Sequence, residues 1–474
     1  MDMAWEWRDG VGIIDFLERR NFLITGATGF LAKGNKNKLL KMRHVNVLFS
    51  NTKRSLSVFI FQIIGCKLFI CLQQKYGEEY TSFMLSKLVP VKGDIQESNM
   101  GIGNDSFRQI TQEVDVIVNS AANTTFDERY DAALAANTIA PSWLLSFAKN
   151  CKKLSLFLHL STTYVNGERP GILMEKAFEM GESRIDFVNS KQVELPQKLK
   201  EIGLARARMY GWQNVYEMTK AMGEMMINAD RGRVPVVIVR PSVVESTFRE
   251  PFPGWIQGYR MLDPLILSYG KGRLPGFLVD PDTVIDVIPA DLVANVIIAA
   301  MAKHGTTASP SIDVYHAASS TVNPIMMCDV FNYSRDYFAA SPLTDDQGDE
   351  IQITDMEYFS SIDSFSSYIQ KDIAEKSGLS KEIDPNSNPK QRSRLEARCK
   401  RMAESIIHLA KLYEPYAFYR ARFDSWNTRK LMEQMLTEEA MNFPIEFEKH
   451  KIGEELLHRI AHLKRHVIKK ASSS

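Results

Sequence analysis

Five short apolar runs restrict this chain more than any other feature: "FLIT", "KLVPVKGD", "VDVIVNSAAN", "LSLFLHLSTTYVNG" and "VPVVIVRPS". Each closes on small or polar residues and leads into a stretch with helical spacing. Strands that alternate with helices in this way bury their apolar faces as a parallel sheet covered by helices on both sides, which predicts a doubly wound α/β fold. Ligands of such sheets sit at the carboxyl ends of the strands, so the residues closing these runs are where chemistry is expected.

Composition narrows the partners. With 474 residues, 45% hydrophobic and 24% charged, the chain has room for more than one domain. A net charge of +1 and the lack of a basic, aromatic-laced tract argue against nucleic acid. Five cysteines (Cys66, Cys71, Cys151, Cys328, Cys399) form an odd set without metal-ligand spacing, so no metal is expected and a reducing compartment is. The opening residues carry early acids and no apolar core of a signal peptide, so no export is expected. The run from Leu56 to Leu72 approaches membrane length but is interrupted by Gln62, Gly65 and Lys67, which suggests peripheral membrane contact at most. Polar composition from about Asp345 to Arg394 reads as a linker, and the apolar spacing beyond it as a small helical domain broken at Pro415. The expected division is therefore a dinucleotide-binding and catalytic domain over 1–340, a linker over 341–395 and a helical domain over 396–474.

In "FLITGATGFLA" the first strand runs into Gly26 and then Gly29, where bare backbone lets a pyrophosphate approach the start of the next helix. Ala32 takes the third small position, and Phe30 and Leu31 are expected to pack that helix on the sheet. This is the dinucleotide signature of a Rossmann sheet. Asp94 closes a later strand where a carboxylate can accept from an adenine amine, and Asn119 and Ala121 lie in "NSAAN" at another strand end beside the expected dinucleotide.

Tyr216 and Lys220 in "VYEMTKAMGEMM" are four apart and share one helix face. An ammonium near a phenol is expected to lower its pKa from about 10, making a proton donor for a carbonyl that receives hydride. Ser161, Thr162 and Thr163 end a strand about 55 residues earlier, where a hydroxyl can polarise the same carbonyl. His159 reads as a core residue, and Cys151 has no partner that would make it a nucleophile.

Taken together, "ITGATGFLAK", "VNSAANTTFDERYD", "STTYVNG", "LARARMYGWQNVYEMTKAMGEMMI", "VVIVRPSVVESTFREPFPGWIQG" and "YGKGRLPGF" resemble the plant-type alcohol-forming fatty acyl-CoA reductases, an extended branch of the short-chain dehydrogenases. The resemblance covers roughly Gly10 to Lys33 and Leu68 to Ala340, and continues more loosely through "YEPYAFYRARFDSWNTRKL" into that family's C-terminal male-sterility-type domain. It implies NADPH as cofactor and a long-chain acyl-CoA as substrate, reduced to a primary alcohol for waxes and related lipids. It places Gly26, Thr28, Gly29, Phe30 and Leu31 at the cofactor phosphates, Tyr216 and Lys220 in catalysis, and Thr162 or Ser161 at the carbonyl. The cytosolic face of the endoplasmic reticulum is the expected location, with plastid or cytosol as alternatives.

Between Lys33 and Lys67 the pattern departs from that family. "GNKNK" supplies poor helix formers after the glycine turn, and no Asp or Glu stands between Arg19 and Gly77. One reading is a short helix followed by a strand over Val45 to Phe49, with Lys53 and Arg54 placed for the NADPH 2'-phosphate. Two other readings stay open: an extended dehydrogenase acting on another lipid carbonyl, and an inactive relative that has lost its phosphate-binding turn.

Overall fold

A computed structural model describes residues 10–18, 20–40, 46–51, 63–179, 196–307, 309–345, 347–379, 389–448 and 452–464. The chain folds into two compact units, each assembled from separated segments. The larger comprises residues 1–257, 286–323 and 421–450, and the smaller 258–285, 324–420 and 451–474.

The larger unit is built on a seven-stranded sheet. Its strands are β1 (Asn21–Ile24), β2 (Asn46–Asn51), β3 (Leu88–Lys92), β4 (Val116–Asn119), β5 (Leu156–Leu160), β6 (Val236–Pro241) and β7 (Ile312–Ala317). All pairings are parallel, in the order β3-β2-β1-β4-β5-β6-β7. The order reverses between β1 and β4, which opens a crevice at their carboxyl ends. Every residue of β4 and β6 is buried, as expected for strands covered on both faces. The expected doubly wound fold is therefore the one found.

Three helices position the strand-end residues: α1 (Phe30–Leu40), α2 (Val215–Asp230) and α3 (Ala290–Gly305). Despite Gly34, Asn35 and Asn37, α1 forms, and β2 pairs with β1 in register from Asn21↔Asn46 to Ile24↔Phe49. Tertiary pairing overrides the weak local propensity of this stretch. The strand runs Asn46–Asn51, against the expected Val45 to Phe49.

Helix α2 is fixed by three contacts. Its N-cap Asn214 accepts from Glu217 N through Oδ1 at 2.9 Å and donates to Glu217 Oε1 at 3.0 Å. At Gly223 an added Cβ would lie 2.3 Å from Asn137 O, so only glycine allows this approach. One turn after Lys220, Glu224 accepts from Arg240 Nε on β6 at 2.9 Å, and both side chains are fully buried.

The division expected from composition is corrected. In the smaller unit Glu357–Phe359 pairs with Gly276–Leu278, and Ile362–Lys376 is a helix whose Phe365, Ile369 and Ile373 are buried. An apolar stripe at every fourth residue thus lies inside what composition suggested was a linker. Pro415 does not separate two helices: one helix runs Pro389–Ala417, with the proline in its last turn, where the lost N–H bond falls only two residues before the helix ends. Residues 421–450 belong to the larger unit. There Ala421–Phe423 pairs with Gly171–Leu173, and the Glu175 carboxylate accepts from His316 N at 2.6 Å, from Thr428 Oγ1 at 3.1 Å and from Asn427 N.

The buried ion pair gives a first expected outcome. Arg240→Met leaves Glu224 uncompensated and should cost about 3–5 kcal/mol in chemical denaturation, whereas the double variant with Glu224→Met should regain most of it. A double variant no better than the single one would show that the pair does more than neutralise itself.

Candidate active site

The carboxyl ends of β1, β4 and β5 converge on one small region. After β1 the backbone turns at Gly26, with φ of +64°, and Gly29 N donates to Gly26 O at 2.8 Å. A Cβ on Gly26 would lie 2.7 Å from Ala121 Cα, so glycine is required both for the left-handed conformation and for the approach to the segment after β4. Ala121 is thus brought against the glycine turn, and Asn119 against Thr25 just before it. The first amides of a helix have no partner within it, and a helix start directly after a glycine turn is an arrangement that can receive a pyrophosphate. Phe30 is buried and its ring packs against Trp255 at 5.4 Å between centroids, and Leu31 packs against the same core. Their side chains therefore set the helix on the sheet, and only their backbone is available to a phosphate. Thr28 is partly exposed in the turn.

Asp94 follows β3 at the sheet edge, where its Oδ1 accepts from Gln96 N at 3.0 Å and shapes a local turn. Lys53 and Arg54 lie outside the described residues.

Thr162 and Ser161 follow β5 and are buried. Thr162 Oγ1 accepts weakly from Tyr164 N at 3.4 Å, capping a short 3-10 turn. The Ser161 and Thr163 hydroxyls are buried and make no hydrogen bond among the described residues. A buried hydroxyl without a partner is costly unless a ligand completes it.

Lys220 is almost fully buried, and its Nζ donates to Leu160 O at 2.6 Å and lies 3.4 Å from His159 Nε2. Tyr216, one turn earlier on α2, stacks loosely with Phe126 at 5.8 Å between ring centroids. The expected electrostatic pairing of ammonium and phenol is not what governs either group. Burial, followed by the Glu217 carboxylate, raises the Tyr216 phenol above its ordinary value. Burial also brings Lys220 down to about 8, against a smaller opposing effect from Glu224. Desolvation outweighs mutual attraction, leaving a protonated phenol, the form able to give a proton.

Several neighbours escaped the sequence reading. Asn137 sits in a π-helical turn, Ala135–Ile139; its Nδ2 donates to Thr219 Oγ1 at 3.1 Å and its Oδ1 accepts from Asn123 N at 2.9 Å. Thr138 Oγ1 donates to Thr219 O at 2.8 Å. The widened turn thereby ties "NSAAN" to α2 between Tyr216 and Gly223, and such turns are frequent at functional sites. Thr25, the residue before Gly26, and His159 join Asn119 in a buried polar chain. His159 is buried as expected, and Asn119↔His159 is a register pair of β4 and β5, a neighbourhood that only strand alignment reveals. Burial holds the Cys151 thiol up to about 12, which agrees with its inert reading.

A glycine turn between β1 and α1 at the point where strand order reverses is the arrangement of dinucleotide-binding sheets, and comparison with known proteins points the same way. A family model described as male sterility protein, of the NAD-binding type, matches residues 24–297. A chloroplastic fatty acyl-CoA reductase of Arabidopsis thaliana is 46% identical, over 92% of this chain and 76% of that protein. The chain belongs to the fatty acyl-CoA reductases. An alcohol-forming member from Simmondsia chinensis is 34% identical, over 88% of this chain and 90% of that protein. Among solved structures, the terminal R domain of the myxalamid PKS-NRPS biosynthetic pathway superposes with a TM-score of 0.63 at 15% identity, over 95% of this chain and 92% of that one. That likeness concerns the fold. Membership in this reductase family accounts for the NAD-binding sheet and for the strand-end residues gathered around α2.

Two outcomes are expected of the site. Gly26→Ala should weaken binding of nicotinamide cofactor by at least about tenfold, read by fluorescence titration, because the new Cβ meets Ala121 and the left-handed turn is strained. Lys220 titrates lower in the folded chain than unfolded, so the unfolded state binds the proton more tightly and wild-type stability rises with pH. From a folded value of about 8, the wild type should gain about 2 kcal/mol relative to Lys220→Met between pH 7 and 9.5, measured by urea unfolding. Parallel curves for the two proteins would mean that the lysine is not desolvated.

Proposed function

We propose that this protein reduces long-chain fatty acyl-CoA to the primary alcohol with NADPH, using Tyr216 as the proton donor, Lys220 as its partner and Thr162 or Ser161 at the carbonyl oxygen. The observation that carries the reading is the convergence of the glycine turn, the unpartnered Ser161 hydroxyl and the Tyr216 helix at adjoining strand ends. Support for the substrate comes from the relatives named as fatty acyl-CoA reductases, one of them as alcohol-forming.

The turn Gly26 to Gly29 and the start of α1 would hold the pyrophosphate, with Asn119 and Ala121 beside the dinucleotide and Asp94 towards its adenine. When bound, the nicotinamide supplies hydride. The chain's own groups manage the oxygen: the Ser161 or Thr162 hydroxyl donates to the thioester carbonyl, and the charge that develops there is stabilised before it is quenched by the Tyr216 proton. Collapse of the resulting hemithioacetal breaks the carbon–sulfur bond and releases CoA thiol with the aldehyde. A second hydride and a second proton from Tyr216 give the alcohol, so each acyl-CoA consumes two hydrides and two protons. Lys220 restores the phenol proton between steps and positions the nicotinamide ribose.

NADPH over NADH is favoured by Lys53 and Arg54 and by the lack of any carboxylate between Arg19 and Gly77 that could claim the ribose 2'-hydroxyl. Neutral replacement of both residues should move the ratio of kcat/KM for the two cofactors towards unity; an unchanged ratio assigns the preference elsewhere. For location, the chloroplastic relative favours the plastid over the endoplasmic reticulum expected from the substrate's chemistry. Among the described residues no helix is long and apolar enough to cross a membrane. Co-purification of the native protein with intact plastids supports this placement, and recovery with microsomes would return the assignment to the endoplasmic reticulum.

The central test is Tyr216→Phe. It should abolish alcohol formation while leaving NADPH affinity nearly unchanged, whereas Lys220→Ala should lower both. Retention of more than about a tenth of the activity, a loss under ~1.4 kcal/mol of transition-state stabilisation, would remove the tyrosine as principal acid.

A further inference from the structure

We infer that His159 is a positioning residue that turns a hydrogen-bond donor towards Lys220, as the last link of a one-way chain beginning at the backbone beside the glycine turn. This rests on the proposed catalytic role of Lys220 for its consequence, but not for its geometry.

The direction of the chain is set at Thr25. Its Oγ1 lies 3.1 Å from Ser120 N and 3.1 Å from Ala121 N, and the two amides occupy both lone pairs. The hydroxyl proton must therefore leave outward, and its acceptor is Asn119 Oδ1 at 2.9 Å. That fixes the amide of Asn119, so its Nδ2 donates to His159 Nδ1 at 2.9 Å. Burial, then the Lys220 and Arg240 charges, hold the imidazole well below its ordinary value, hence neutral. With Nδ1 accepting, the ring proton resides on Nε2, 3.4 Å from Lys220 Nζ. The reverse arrangement would place a third N–H on Thr25 Oγ1 and leave the hydroxyl proton without an acceptor.

An Nε2–H cannot be received by an ammonium, which has no lone pair. It can be received by the amine, while Nζ keeps its own donation to Leu160 O at 2.6 Å. The chain thus favours the amine form of Lys220 in the cofactor-free protein, beyond what burial does. The other charged and titratable groups around it do not reverse this. Glu224, one turn along α2, is engaged by Arg240 at 2.9 Å; Arg240 and His316, 3.3 Å apart on β6 and β7, add no negative charge; Tyr216 stays protonated. Because Thr25 immediately precedes Gly26, the lysine's proton affinity is tied to the seating of the turn that receives the dinucleotide.

Nitrogen NMR of the full-length wild type, labelled in histidine, tests the direction without any substitution. The His159 signals, identified by their loss in His159→Leu or by exclusion among the nine histidines, should report the Nε2–H tautomer. A proton on Nδ1 overturns the proposal. Side-chain lysine NMR adds a second arm. His159→Leu removes the donor while keeping the site apolar and should raise the Lys220 midpoint by at least about one unit, whereas burial acting alone would leave it unchanged or lower it. A midpoint that does not rise in the folded variant sinks the idea. Where the variant does not fold, the wild-type tautomer decides. These readouts do not use turnover, so loss of the catalytic reading through an active Tyr216→Phe would leave them standing, and their failure would leave that reading intact.

Discussion

A lysine with almost no solvent contact is the element on which the rest of this site depends. Placing Nζ of Lys220 against Leu160 O at the end of β5 is unfavourable by desolvation, and the protein meets that cost by holding α2 from several sides. Asn214 caps the helix just before Tyr216, the π-helical turn presses on Gly223, and Arg240 neutralises Glu224 one turn beyond the lysine. Each contact comes from a different element: the preceding loop, the helix after β4, and β6. The helix can therefore neither rotate nor slide without breaking a buried polar interaction, and Tyr216 inherits that precision.

The electrostatics follow from burial more than from pairing. A phenol next to a solvated ammonium would ionise more readily, but here both groups are driven towards their neutral forms. For a reductase this suits the chemistry, since the step that needs a side-chain acid needs the phenol protonated. With a midpoint brought down to about 8, the lysine can both carry and release a proton, so it is not a fixed charge in a site that must also take a polyanionic cofactor. The unpartnered hydroxyl of Ser161 at the strand end carries a desolvation cost that a polar ligand arriving there would offset.

Much of this geometry could be read in the sequence because the candidate residues sit where local patterns are strongest. Apolar runs ending in small residues located the strand ends, and the four-residue spacing of Tyr216 and Lys220 needed only helical periodicity. Asn119 and Ala121 were placed by the same logic, and they lie against Thr25 and the glycine turn that follows it. What escaped depends on alignment between distant segments. That Asn119 faces His159 follows from the register of β4 and β5, and that Asn137 reaches Thr219 follows from one extra residue in a helical turn; neither leaves a periodic trace. Around "GNKNK" local propensity left the outcome open, and of the readings it allowed the structure shows the helix followed by a strand, which pairs with β1. Composition was the poorest guide, concealing the stripe of Phe365, Ile369 and Ile373 beneath polar neighbours.

The boundary of the reductase unit is hidden from local patterns for the same reason. The chain leaves it at residue 257, re-enters for 286–323, leaves again, and returns for 421–450. The last return is not an appendage: Ala421–Phe423 extends the pairing of Gly171–Leu173, Phe423 N donates to Ser320 Oγ at 3.0 Å, and Phe423 stands edge-on to Tyr164 at 5.2 Å, two residues after Thr162. Glu175 binds the arrangement together, since burial lifts its carboxyl to about 7 even though His316 N, Asn427 N and Thr428 Oγ1 all donate to it. A carboxylate so desolvated is tolerable only with those donors in place, and two of the three lie beyond residue 420. The segment that resembles the family's C-terminal domain therefore packs against Tyr164, in the turn that follows Thr162. The candidate site residues, drawn from the first half of the chain, share with residues 421–450 a unit that this last segment must return to complete.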